Sequence, residues 1–449
     1  MPVPVCQLRV TYPMSNAVSA STPPTELQPF RGIRYDTDIA GDLSQLLCPP
    51  YDIISDTQRL QLYERSPYNM VRLEYALPDT ENGGDVYLRA AATFQQWLAK
   101  GILRRDEAPV LYVHDHSFEY HGCRHVRRGL IARVRLRPWY EGVYPHELTG
   151  TRAKQDRLDL MRACHASFSG PLGLYEDRDG TVAKAIEESL VGASRQDVVT
   201  NGESHTFHVL SNPEHIGRIQ QAFAGESIYI ADGHHRYETA LIYQVERRAT
   251  APVSLEAPQS YDYILMTLTA FDDPGLFISP VYRLLNGSNL PSAEVIEAGL
   301  ARYFIIDFVP VDLALARGAP VAEMAIMAIV GLREGQVAEL RPRPGIVLGD
   351  EVPGDHSLEY RTFNVSILNH VVLSRVLGID PDGENVSYTP DLEEVIRQIA
   401  NGRAHLGFLL APPHPRLVKR IADRRERMPR KSTYFYPKPP TGLVVNPFD

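Results

Sequence analysis

The stretch SIYIADGHHRYETALIYQVERR, Ser227 to Arg248, constrains the fold of this chain more than any other. Ile228, Tyr229, Ile230 and Ala231 form a short apolar run of the kind a buried strand shows, and Asp232-Gly233 breaks it. A helix is expected next. Tyr237, Ala240, Leu241 and Val245 recur at helical spacing and set one apolar stripe against a core, with Asp232 placed to cap the first turn.

His234, His235 and Arg236 fall in that first turn, where unpaired backbone N–H groups already concentrate positive partial charge. Cations are disfavoured there unless something negative binds. A phosphate fits, because Gly233 lets the backbone approach, the N–H groups donate and Arg236 offers a two-pronged contact. The plainer reading pairs the three side chains with carboxylates elsewhere in the fold.

The strand followed by Asp232-Gly233-His234-His235-Arg236 and a helix resembles the phosphate-binding box of the superfamily containing chromosome-partitioning ParB, sulfiredoxin and the free serine kinases. Six phrases spread over nearly the whole chain resemble the family labelled domain of unknown function 1015. They are PPYDIIS (Pro49 to Ser55), SPYNMVRLE (Ser66 to Glu74), PHELT (Pro145 to Thr149), IADGHHRYETAL (Ile230 to Leu241), DDPGL (Asp272 to Leu276) and MPRKSTYFYPK (Met428 to Lys438). The expected class is α+β. It comprises a disordered leader over 1–28, an N-terminal α+β region over 29–142, a ParB/sulfiredoxin-like phosphate-binding core over 143–250, and a C-terminal α+β region over 251–449 whose basic helix and tail fold back on the core.

In the free serine kinases a His-Glu pair precedes a helix and a Pro-bearing strand that leads toward the Asp-Gly-His-His-Arg turn. Here His146-Glu147, the Lys154 to Cys164 segment, Pro171-Leu172 and Asp232 to Arg236 follow in that order, with a longer insertion between Asp177 and Ser227. The resemblance implies that Glu147 is the catalytic base and that Asp232 acts at the metal or the acceptor. The chemistry agrees, since moving a phosphoryl group needs charge neutralisation, a divalent metal and a base beside the attacking hydroxyl. Glu147 suits the base, Asp232 an Mg²⁺ ligand, and His146, Lys154, Gly233, His234, His235 and Arg236 the surroundings of a phosphate or nucleotide. Without the resemblance, Glu147 reads as an exposed loop carboxylate. Lys431, Ser432 and Thr433 add a dense set of anion-binding groups in the tail, and Tyr434, Phe435 and Tyr436 are placed to pack or to stack on a base. The alternative for this tail is an edge strand covering the core.

The implied function is a nucleotide-dependent phosphotransferase acting on a small hydroxyl metabolite, serine or O-phosphoserine by resemblance, with Mg²⁺ and ATP, ADP or CTP. A CTP- or ATP-gated regulatory switch and a phosphatase of a small phosphate ester are the other readings. The sequence contains neither a P-loop nor Gly-x-Gly-x-x-Gly, and lacks His-Glu-x-x-His and Gly-x-Ser-x-Gly. A net charge of −9 and a pI near 5.9 argue against nucleic acid as a partner. No apolar run is long enough to cross a bilayer, and the N-terminus lacks a signal-peptide pattern. Cys6, Cys48, Cys123 and Cys164 form no Cys-x-x-Cys pair, so a cytoplasmic protein is expected.

Periodicity predicts a helix over Asp85 to Ala99, a hairpin over Val110 to His121 and Arg124 to Leu136, and a strand over Tyr261 to Phe271 turned by Asp272-Asp273-Pro274-Gly275. Further helices are expected over Ala153 to Cys164, Ser292 to Phe304, Phe363 to Leu377, Asp391 to Asn401 and Leu417 to Arg427, with strands at Leu172 to Tyr175 and within Val321 to Leu348. His114-Asp115-His116 reads as a solvated strand face rather than a metal site, because no third ligand is marked out and His205, His208 and His215 lack ligand spacing. Arg283 reads as a possible anion contact, and Asp52, Asn69 and Arg72 as turn caps or ligand contacts.

Overall fold

The computed structural model describes residues 25–78, 84–120, 122–250, 257–287, 290–316 and 324–448. Its central sheet has nine strands: β1 (Leu27–Gln28), β2 (Leu111–Tyr120), β3 (Cys123–Arg135), β4 (Val143–Tyr144), β5 (Leu172–Tyr175), β6 (Ser194–Thr200), β7 (Glu203–Leu210), β8 (Ile228–Asp232) and β9 (Tyr263–Ala270). They lie in the order β4-β8-β5-β9-β3-β2-β7-β6, with β1 paired on β3. The class is α+β, as the sequence predicts.

The boundary expected at residue 142 does not divide this sheet. β2 and β3 lie inside it, flanked by β7 and β9, so the N-terminal region and the expected core share one set of backbone hydrogen bonds. Leu27 is buried in the same sheet, which draws residues 25–28 into the fold; the rest of the expected leader lies outside the described residues.

The hairpin forms as its alternation predicts, within a residue or two at each end. Leu130, Ala132 and Val134 are buried on one face of β3. The C-terminal tail covers Arg133 on the other, where its guanidinium donates to Asn446 Oδ1 (2.6 Å) and the Pro447 carbonyl (2.5 Å). His114 and His116 correct the sequence reading, for at 3% and 1% exposed they face the interior. Asp115 takes the opposite side of the strand and pairs with Arg128 at 2.7 Å.

Three helices matter to the site or illustrate the pattern. Helix α1 (Val86–Ala99) is capped by Asp85, whose carboxylate accepts from Tyr87 N. Helices α2 (Thr151–Cys164) and α3 (His234–Thr250) pack against each other beside the sheet.

The C-terminal region adds a six-stranded antiparallel sheet from β10 (Tyr282–Leu285), β11 (Phe304–Pro310), β12 (Met327–Val330), β13 (Gln336–Pro342), β14 (Val386–Thr389) and β15 (Leu406–Leu410). Its order is β11-β13-β12-β15-β10-β14. Helix α4 (Leu392–Ala400) is capped by Asp391.

Three helix expectations change. The helix expected over Ser292 to Phe304 runs only over Ala293–Leu300, and Phe304 starts β11. Phe363 to Leu377 is one α turn, Asn364–Ile367, continued as a wide π-helix over Leu368–Val376. The basic helix is α5 (Pro415–Asp423), which ends before Arg425, where φ is +59°. Its Lys419 pairs with Asp423 one turn on at 2.7 Å and with Glu176, beside the central sheet, at 3.6 Å.

From Met428 onward the chain returns to the central sheet. Met428 N donates to the His146 carbonyl, Tyr434–Tyr436 pairs with Phe277–Ser279, Thr441 bonds Cys48, and Asn446–Pro447 pairs with Ala166–Ser167.

Candidate functional site

Strand β8, Gly233 and α3 form the strand–glycine–helix unit that the sequence predicts. Its register with β5 shifts between Ile230 and Asp232, which re-aims Asp232 at the strand end. Gly233 has φ +85°, and an added Cβ would lie 2.8 Å from Arg236 Nε. Gly233→Ala is therefore expected to cost about 1–2 kcal/mol in backbone strain alone, read as a lower melting temperature; an unchanged one would mean the turn relaxes freely.

Asp232 serves two cations instead of capping α3. Its Oδ1 pairs with the Lys438 ammonium from the tail, and its Oδ2 with Arg236 Nη2 at 2.8 Å. All three groups are buried; burial alone would raise the Asp232 carboxyl, but Lys438 and Arg236 outweigh it and hold it well below the usual range. Arg236 Nη1 also donates to the Gly170 carbonyl at 2.5 Å. The arginine is thus paired with a carboxylate of its own turn.

The histidines of the turn act on the Pro145–Gly150 loop. His234 Nε2 accepts from the His146 amide at 3.1 Å, and His235 Nε2 accepts from the Gly150 amide at 2.8 Å. Accepting an amide requires a lone pair, and burial lowers the proton affinity of both rings. The positive charge assumed for this turn therefore reduces to Arg236. Lys154, another expected phosphate neighbour, pairs with Glu238 at 2.9 Å and ties α2 to α3.

Glu147 stands apart. It is half-buried, and burial pushes its carboxyl up to about 7, with Lys431 opposing and the charge of Asp232 assisting. His146, fully buried, has Nδ1 2.8 Å from the Ile230 carbonyl and Nε2 2.9 Å from the Thr433 hydroxyl. A carbonyl only accepts, so Nδ1 carries the proton and Thr433 donates to Nε2. The Thr433 oxygen then lies 3.5 Å from Glu147 Oε1, open to a proton from that carboxyl.

The tail residues divide. Lys431 is exposed, its backbone left-handed at φ +53°, and its ammonium has no ion pair among the described residues. Ser432 is buried, and its hydroxyl is spent on the Pro429 carbonyl at 2.6 Å. Phe435 is buried and Tyr436 packs on Phe118 and Tyr120, which leaves Tyr434 as the half-exposed ring beside Lys438. Arg283 is buried and holds the tail through the Lys431 carbonyl at 3.1 Å, so it is a brace rather than an anion contact. Asn69 and Asp273 cap turns, through Val71 N and Gly275 N respectively.

Lys438 and Arg427 are the residues that sequence reasoning missed. Arg427 Nη1 donates to the Glu147 carbonyl at 2.8 Å. Lys438 ends the quoted phrase MPRKSTYFYPK, and a lone lysine among prolines gives no local sign that it reaches Asp232, 206 residues earlier.

These features define an α+β protein with a charged site where a distant tail closes over a strand–glycine–helix turn. Residues 27–361 match the family described as Protein of unknown function (DUF1015), and the chain belongs to that family. Solved structures of low similarity include a free serine kinase in complex with AMP, at 11% identity over 70% of this chain and 91% of that one, with a TM-score of 0.34. A conserved hypothetical protein from Pyrococcus furiosus is 12% identical over 71% and 95%, with a TM-score of 0.33. C-terminally truncated SbnI from Staphylococcus aureus is 7% identical over 70% and 87%, with a TM-score of 0.33. No curated protein matches the chain. Among the described residues, no helix is long and apolar enough to cross a membrane.

Proposed function

We propose that the protein is a nucleotide-dependent phosphotransferase acting on a small hydroxyl metabolite, with a serine-like acceptor as the leading candidate by resemblance. The observation that carries this reading is Glu147, a half-buried carboxyl held at about 7, beside the free ammonium of Lys431 and the α3 N-terminus. A base poised near neutrality matches the task of taking a proton from an attacking hydroxyl. The first-turn amides of α3 and the Lys431 ammonium supply positive potential for phosphate oxygens, and Tyr434 offers a face for a base.

Mg²⁺ does not fit Asp232 as the side chains stand, since both carboxylate oxygens already face cations. Asp232 instead fixes Lys438 and Arg236, and any Mg²⁺ would arrive on the phosphates of the nucleotide.

Phosphorus NMR of the purified protein with Mg²⁺ and ATP, ADP or CTP, with and without L-serine or O-phosphoserine, tests the reading. A new phosphoester signal dependent on the acceptor is expected. Line broadening without turnover would replace the enzyme with a nucleotide switch, and no response to any nucleotide would reject both.

A further inference from the structure

The three histidines that cluster under the hairpin lie outside the chemistry assigned to Glu147 and Asp232. His114 and His116 are two apart on β2, so they share a face, and Glu203 and His205 are likewise two apart on β7. The antiparallel register sets His205 directly opposite His116. The His116 and His205 ring centroids are 4.3 Å apart, and His116 Nε2 lies 2.7 Å from Glu203 Oε2. His116, Glu203 and His205 each offer a ligand atom within 4.8 Å of the other two. His114 Nε2 stands 3.0 Å behind His205 Nδ1.

A buried imidazole is normally satisfied by hydrogen bonds, yet His116 is 1% exposed and its Nδ1 has no partner among the described residues. Packing alone gives no reason to gather three imidazoles and a carboxylate on two strands. We propose that His116, Glu203 and His205 form a binding site for a divalent transition-metal ion of the zinc class, with His114 orienting His205 through the ring nitrogen away from the ion.

Two imidazoles and one carboxylate are a donor set that such ions accept while keeping positions open. The hydrogen bond from a second ring is the kind of outer contact that fixes a ligand's tautomer. Arg127, opposite His116 on β3, is a buried cation close by; its guanidinium is turned to the Tyr436 and Pro437 carbonyls. Glu203 supplies the compensating charge.

The site is not sealed. Glu203 and His205 line an open cleft together with Tyr434, Tyr436 and Lys438. An anion entering it would meet both the ion and the ammonium, so a small carboxylate or phosphate compound is the ligand class that suits the pair.

The test uses the full chain, stripped with EDTA and titrated with Zn²⁺, then with Co²⁺ and Cd²⁺ as spectroscopic probes. One equivalent of Zn²⁺ is expected, with visible Co²⁺ bands and a cadmium NMR signal in the range of nitrogen and oxygen ligands. His116→Ala and Glu203→Gln should abolish the stoichiometric binding, and His114→Ala should weaken it by about 10–100-fold. Circular dichroism checks that each variant folds, and the cadmium signal of the unmutated protein decides the matter if one does not. Absence of binding by the unmutated protein, or binding unchanged in both ligand variants, would overturn the proposal.

Discussion

Replacing Asp232 by Asn is expected to destabilise the fold by about 3–5 kcal/mol, the usual cost of stripping one partner from a buried ion pair. Lys438 and Arg236 are each 8% exposed in their side chains, and both would lose the carboxylate that compensates them. The amide retains the shape and can still accept from one of them, so the loss reports charge rather than a cavity. Lys438→Met should cost less, because Asp232 would keep Arg236. Denaturant unfolding checks both, and a loss below about 1 kcal/mol for Asp232→Asn would show that Asp52 or Glu74 takes over the neutralisation.

The pH dependence follows with a definite sign. The folded Asp232 carboxyl is held below its unfolded value, near 3.9 for a free Asp. Its contribution is therefore complete above that value and drains away as the pH falls through the folded one. The unmutated protein should lose stability below about pH 4 more steeply than Asp232→Asn.

What the sequence made legible was local. The strand over Leu172–Tyr175, the helix over Val86–Ala99, the hairpin and the turn at Gly233 each rest on patterns within a few residues, and they form as those patterns predict. What it hid was contact across the chain. His114-Asp115-His116 looked like a solvated face because nothing near it in sequence named a third ligand, whereas the pairing of β2 with β7 brings in His205 and Glu203 from some ninety residues away. The two turn histidines looked cationic because a helix start draws attention to charge, but burial makes them neutral acceptors for the loop. The tail is expected from the sequence to fold back on the core, but nothing beside Lys438 points it at Asp232.

Glu147→Gln is expected to reduce phosphoryl transfer by about 10²–10⁴-fold, the range that positioned general bases supply. Nucleotide affinity should change far less, since the first-turn amides of α3 and Lys431 remain. A base held at about 7 must lose its proton to work, so the unmutated rate should climb with pH and level off above about 7. Stability should move the opposite way. The folded Glu147 carboxyl lies above its unfolded value near 4.3, so its contribution is complete below that value and is lost as the pH rises through about 7. At pH 8 the unmutated protein carries a buried charge that Glu147→Gln lacks, and the variant should melt higher there while the two converge near pH 4. A variant both more stable and inactive at pH 8 fits a carboxylate kept ionisable at a cost to the fold, whereas retained turnover would remove Glu147 from the chemistry whatever its stability.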